Sequence, residues 1–207
     1  MSVPKILVFA GSIRSGSYNA RLAALATKLL AAADADVTRI SLQDYPLPLY
    51  DGDLEVRSGP PQHALKLKRL MMQHGGVFIA SSEYNASLTP LLKNTIDWIS
   101  RVREANEPPL AAFRNRVFAL GAASPGTLGG YRSLMALRQV LELGCGAIVL
   151  PEQVAVRDAA NAFDDDDNLR DPRTADALKN VLARERIYHQ LLRKYPDARL
   201  LFSPPRD

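Results

Sequence analysis

Four short apolar runs, Ile6–Ala10, Val77–Ala80, Val117–Leu120 and Ala147–Leu150, set the tightest limit on the fold. Each is apolar at every position, which suits a strand buried on both faces. Between them, apolar residues recur three and four apart, the spacing of a helix face. Leu22, Leu25, Ala26, Leu29, Leu30 and Ala33 form one such face, and Leu88, Leu91, Leu92, Thr95, Ile96 and Ile99 form another. Further helices are predicted over Ala64–His74, over about Tyr131–Leu143 and over Arg173–Lys194, the last with Leu178, Val181, Leu182, Leu191 and Leu192 inward. Val37–Ser41 alternates apolar and polar residues, as a half-exposed edge strand does. The prolines and glycines of Leu42–Pro61 read as one long extended loop. Strands alternating with helices call for a parallel sheet with helices on both faces, and right-handed crossovers leave a doubly wound one. With the alternating strand at the edge, the expected α/β order is five-stranded, 2-1-3-4-5. Ligands then bind where the loops after strands one, three and four converge.

Those three loops are the unusual ones. The first, Gly11-Ser12-Ile13-Arg14-Ser15-Gly16-Ser17, runs from a buried strand into a helix. Unpaired N–H groups and the helix dipole favour an anion at such a junction. Ser12, Ser15 and Ser17 add hydroxyl donors, and Arg14 adds a guanidinium. Ser17-Tyr18 stands where a triphosphate loop needs Lys-[ST], and Ile13 stands where a dinucleotide loop needs its second glycine. A single phosphate monoester is what remains. The second loop, Ser82–Ser87, offers Glu83, Tyr84 and Asn85 to the edge of a flat polar heterocycle. The third, from Gly121 to Gly130 with Ser124 and Gly129, lets backbone approach a ring closely. One phosphate and a flat ring describe flavin mononucleotide, FMN.

Composition bounds the rest. The 207 residues, 47% hydrophobic and 23% charged, suit one α/β domain with a full core. The charge of +4 is mild; the basic patches at Lys66–Arg69 and at Arg184, Arg186, Arg193 and Lys194 lie on helical patterns and read as solvated faces, not a nucleic-acid footprint. No run is long enough for a membrane span. Cys145 is the only cysteine, which excludes a disulfide framework and suits a reducing cytoplasm. The three histidines are not spaced as ligand pairs, so no metal is expected. The run of aspartates in Asn161–Asp171 reads as a solvated turn.

Two segments carry a family resemblance. Gly11-Ser-Ile-Arg14-Ser-Gly-Ser17-Tyr-Asn19, followed by Glu83-Tyr84-Asn85-Ala-Ser87-Leu-Thr-Pro90-Leu-Leu-Lys93-Asn94-Thr-Ile-Asp97-Trp98, resembles the NAD(P)H-dependent FMN reductases, including the quinone, chromate and azo-dye reductases. The resemblance implies a flavodoxin-like domain over 1–207, non-covalent FMN, NADPH or NADH as reductant, and a homodimer or homotetramer. It assigns the phosphate to Ser12, Arg14, Ser17 and Asn19, with Tyr18 beside them. Glu83, Tyr84 and Asn85 would line the isoalloxazine edge, and Ser124, Gly129 and Gly130 the third wall. Ser82 stands where the family commonly has proline. The flavin carries the chemistry, so no catalytic acid or base is expected. The alternative is a flavodoxin-type electron carrier without a nicotinamide site, a reading that the basic charge disfavours.

Overall fold

The structure, a computed structural model, describes residues 3–194. In chain order the elements are β1 (Lys5–Ala10), α1 (Tyr18–Ala32), β2 (Asp36–Ile40), α2 (Gly52–Ser58), α3 (Gln62–Gln73) and β3 (Gly76–Ala80). There follow β4 (Glu83–Tyr84), β5 (Ser87–Leu88), α4 (Pro90–Arg101), β6 (Val117–Ala123), α5 (Tyr131–Gln139), β7 (Ile148–Val156) and α6 (Pro172–Lys194). The main sheet is parallel, in the order β2-β1-β3-β6-β7; β4 and β5 form a separate antiparallel hairpin. With that hairpin set aside, this is the 2-1-3-4-5 order expected from the alternating edge strand.

The alternation within β1 shows why an all-apolar run belongs at the centre. Ile6, Val8 and Ala10 join the core on one side of the sheet, and Leu7 and Phe9 join the core on the other. Leu22, Ala26, Leu178 and Leu182 of α1 and α6 cover the first side. Leu67, Ile96, Leu134 and Leu137 of α3, α4 and α5 cover the second. Each fully buried Leu, Ile or Phe is worth about 1.5–3 kcal/mol relative to exposure, so both layers hold the strand ends in a fixed row. The side chains of Leu191, Arg193 and Lys194 lie outside those described.

Four expectations are corrected. The segment read as one extended loop contains α2, capped by Asp51, whose Oδ1 accepts from Asp53 N–H at 2.8 Å, and ended by Gly59. Its cap and charge pattern favour a helix, but it buries no residue and so shows no apolar periodicity. The helix read from Leu88 starts at Pro90, because Leu88 pairs with Glu83 in the hairpin. The strand read as Ala147–Leu150 continues to Val156: a register shift against β6 between Phe118 and Leu120 absorbs Pro151, which lacks a ladder donor. The turn over Asn161–Asp171 is not wholly solvated, since Phe163 and Leu169 bridge and are buried in the α1–α6 core.

Candidate functional site

The loops after β1, β3 and β6 start side by side because the strand ladder extends past the sheet. Gly11 N–H donates to Ala80 O at 2.9 Å, and Ser81 N–H donates to Gly121 O at 2.7 Å. Thr89 closes the group from the far side. Its hydroxyl donates to Gly11 O at 2.6 Å and accepts from Leu92 N–H at 3.1 Å, capping α4 ahead of Pro90. The Thr-Pro pair is an N-terminal signal readable in the sequence, though Thr89 was not among the predicted site residues.

In the first loop Arg14 and Ser15 are exposed and Ser12 is half-buried, whereas Ser17 is buried. Gly16, at φ +67, turns the chain so that Ser17 N–H reaches Arg14 O at 3.1 Å. Ser17 then caps α1, its buried Oγ accepting from Ala20 N–H at 3.4 Å. Ser12 Oγ accepts from Arg14 N–H at 3.3 Å. The exposed guanidinium of Arg14 sits 5.8 Å from the centre of the Tyr18 ring and donates to Ser15 O and Gly16 O at 3.4 and 3.3 Å. Those are long contacts to neutral carbonyl oxygens within one loop. A phosphate offers Arg14 shorter bonds to an acceptor of opposite charge. Together with the α1 dipole and the unladdered N–H groups of its first turn, the loop fits a phosphate monoester.

Two more residues of the expected set, like Ser17, face inward. Asn19 is 3% exposed; its Nδ2 donates to Ser82 Oγ at 3.0 Å and Ala123 O at 2.8 Å, while Oδ1 accepts from Ala123 N–H at 2.8 Å. The Asn19 side chain therefore ties the start of α1 to the ends of β3 and β6 rather than facing the crevice. Ser82 is buried as the partner of that tie.

Glu83 also differs from its expected place. Its carboxylate lies on the first turn of α5: Oε2 accepts from the backbone N–H of Arg132 and Ser133 at 3.1 and 3.3 Å, and Oε1 accepts from Arg132 Nε at 2.8 Å and from Nη2. Arg132 was missed by sequence reasoning, since no local pattern marks a partner so distant in the chain. Tyr84 is 50% exposed beside the crevice, and Asn85 occupies the exposed hairpin turn. In the third loop, Ser124 N–H donates to Val156 O and Ser124 O accepts from Ala159 N–H, both at 3.1 Å. Gly129 and Gly130 have φ of +61 and +87, and a Cβ on either would collide with the chain's own Val156 carbonyl carbon at 2.9 Å or Ala122 Cβ at 2.7 Å. Their lack of a side chain is required by the seating of this loop on the sheet. The surface left for a ligand is the exposed rim from Pro125 to Leu128.

Cys145 is buried, and burial pushes its thiol up to about 11, out of the nucleophile range. A separate cavity of about 590 Å³, between β7 and the start of α6, is lined by none of the predicted cofactor-binding residues. Among the described residues no group of three or more His, Cys, Asp or Glu is placed to hold a metal ion, and no helix is long and apolar enough to cross a membrane.

A parallel sheet in the order β2-β1-β3-β6-β7 with helices on both faces, and a polar loop leading into α1, defines the flavodoxin-like class of α/β fold. The chain matches the NADPH-dependent FMN reductase family over residues 4–161 and belongs to that family. It is 32% identical over 191 residues to the NAD(P)H-dependent FMN reductase of Pseudomonas aeruginosa, covering 91% of this chain and 97% of that protein. It is 36% identical over 138 residues to the quinone reductase of Escherichia coli K12, 66% of this chain and 69% of the relative. Among solved structures, the flavoenzyme NAD(P)H:(acceptor) oxidoreductase of Paracoccus denitrificans superposes with a TM-score of 0.73 at 26% identity, over 91% of this chain and 98% of that one. The resemblance drawn from the two sequence motifs holds. This is an oxidoreductase with FMN as cofactor and NAD(P)H as reductant.

Proposed function

We propose that the chain passes electrons from NADPH or NADH through bound FMN to small-molecule acceptors, quinones first, with free flavin, chromate and azo compounds also admitted by an open site. The observation that carries this reading is the cradle of Ser12 and Arg14 ahead of α1, next to the hairpin that presents Tyr84 and Asn85. Quinones come first because the relatives named above include a quinone reductase. FMN held here would supply the redox chemistry, taking up the hydride of the reduced nicotinamide and passing two electrons and a proton on to the acceptor. The protein's part is to bind and orient. Ser12, Arg14 and the first-turn N–H groups of Tyr18 and Asn19 hold the phosphate, Ser17 shapes the turn, and the Asn19–Ser82–Ala123 tie keeps the loops in register. Tyr84, Asn85 and the Ser124–Leu128 rim flank the ring.

The test is a visible spectrum of the purified protein, followed by NADPH without oxygen and then a quinone. Flavin bands that bleach and return on adding quinone are expected. Bands that persist under NADPH indicate an electron carrier, and absence of bands after FMN is added overturns the reading. In the same assay Arg14→Ala is expected to weaken FMN binding by one to two decades, about 1.5–3 kcal/mol for a charge-assisted contact. Unchanged affinity removes Arg14 from the phosphate site.

Self-association is part of this reading. Ile13 on the first loop, Tyr84 on the hairpin, and Leu128, Tyr131 and Met135 on the third loop and α5 are large apolar side chains left exposed on the site's own elements. A homodimer or homotetramer that covers them is expected at micromolar concentration in light scattering; a monomer there refutes it. The cytoplasm is the compartment proposed, to be checked by cell fractionation.

A further inference from the structure

The hairpin beside the cradle cannot hold itself. β4 and β5 are two residues each, joined by Asn85 and Ala86 at φ of +49 and +63. That turn suits a two-residue hairpin, but Ala86 is in the left-handed region that disfavours a side chain, and an isolated two-stranded hairpin is marginal in water. The helix α5, which packs directly on the hairpin, has the opposite deficiency. Its N-cap is Gly130, in the left-handed conformation and with no side chain to cap the first turn. Glu83 answers both deficiencies at once. Its carboxylate takes donors from Arg132 N–H, Ser133 N–H, Arg132 Nε and Arg132 Nη2, so the root of the hairpin is the cap of α5. The guanidinium closes the carboxylate from the solvent side, leaving the Glu83 side chain 8% exposed against 55% for Arg132.

We infer that Glu83 and Arg132 are a positioning pair that fixes the flavin shelf and directs the phosphate to α1, an assignment that rests on the FMN reading above. The second half follows from the electrostatics of the crevice. Three helix N-termini, those of α1, α4 and α5, stand at these loops, and each favours an anion. The start of α4 is closed by the buried Thr89 hydroxyl and by Pro90, which has no N–H. Glu83 occupies the α5 end with the chain's own carboxylate. The α1 end has the exposed Arg14 ahead of it instead, so an anionic ligand has one place for its phosphate, and the ring must lie toward the hairpin. Neither residue touches the reacting atoms in this assignment.

The test is Glu83→Ala, read with and without formate, a carboxylate small enough to replace the missing one. In the protein without FMN, formate is expected to raise the thermal midpoint of Glu83→Ala and leave the parent's unchanged, with chloride at equal ionic strength inactive. FMN titration by quenching of flavin fluorescence is expected to show about a tenfold or greater loss of affinity in Glu83→Ala, partly restored by formate. Arg132→Ala keeps the backbone donors and is expected to lose less. Formate without effect on the variant's midpoint, or Glu83→Ala binding FMN like the parent, overturns the assignment. A parent that binds no FMN overturns the flavin reading instead. The formate-dependent midpoint then still decides whether Glu83 caps α5.

Discussion

Lys68→Ala is expected to cost about 2–5 kcal/mol of folding stability, the range for emptying the space of a buried long side chain, with its two ion pairs lost as well. Lys68 lies on α3 and is 1% exposed. Its Nζ donates to Glu104 Oε2 at 3.0 Å and to Glu107 Oε2 at closer range. Arg69 adds a second cation to Glu104 at 2.8 Å and, with Lys68, holds the Glu104 carboxyl below its ordinary range. The group joins α3 to the chain between α4 and β6. Removing the ammonium leaves two facing carboxylates without their shared cation, along with the space of its hydrocarbon stem. Thermal or urea unfolding of the variant measures the loss. A midpoint within error of the parent's would show that Lys68 is not buried against these carboxylates. The double change Lys68→Met with Glu107→Gln is expected to recover part of the loss, since an uncharged replacement leaves fewer unpaired charges.

The second large effect has the opposite sign and depends on pH. Glu185 on α6 is fully buried against the start of β3, so close that a Cβ on Gly76 would stand 3.1 Å from its Oε1. Neither carboxyl oxygen meets a well-aligned hydrogen-bond partner. Burial raises its pKa well above 4.5, and the Val77 backbone N–H only partly opposes this. A group whose pKa is raised by folding supports the folded state fully below its unfolded pKa. That support is lost as pH rises toward the folded value. The parent should therefore lose stability above about pH 4.5, at up to tenfold in the folding equilibrium per pH unit for the one proton held. Glu185→Gln keeps the shape and removes the proton. It is expected to match the parent near pH 4.5 and to exceed it increasingly toward neutrality in urea midpoints. A constant difference between the two proteins across that range would mean that Glu185 does not titrate in the fold.

Lys68 and Glu185 also show where reading the sequence reaches its limit. Lys66–Arg69 reads as a solvated basic face because composition and spacing do not reveal which cation turns inward; Glu104 and Glu107, more than thirty positions away, decide that for Lys68. The strands that build the sheet are legible for the converse reason. Burial on both faces demands an unbroken apolar run, and such runs in β1, β3 and β6 lead to the loops of the site. Elements that bury little, such as α2, leave no such mark. Residue type in the cradle and hairpin points to an anion and a flat ring, but not to the direction of each side chain. Asn19 has the chemistry of a phosphate donor, yet its amide faces Ser82 and Ala123. Glu83 has that of a ring contact, yet it caps a helix. In both cases a backbone group brought close by the fold takes the side chain first.

The thiol of Cys145 has a bearing on oxidative wear. With its pKa held near 11, only roughly one molecule in ten thousand carries the thiolate at pH 7. Peroxides and alkylating agents attack the thiolate form, and this one is also shielded by the surrounding core. The one sulfhydryl of the chain thus takes little part in thiolate chemistry.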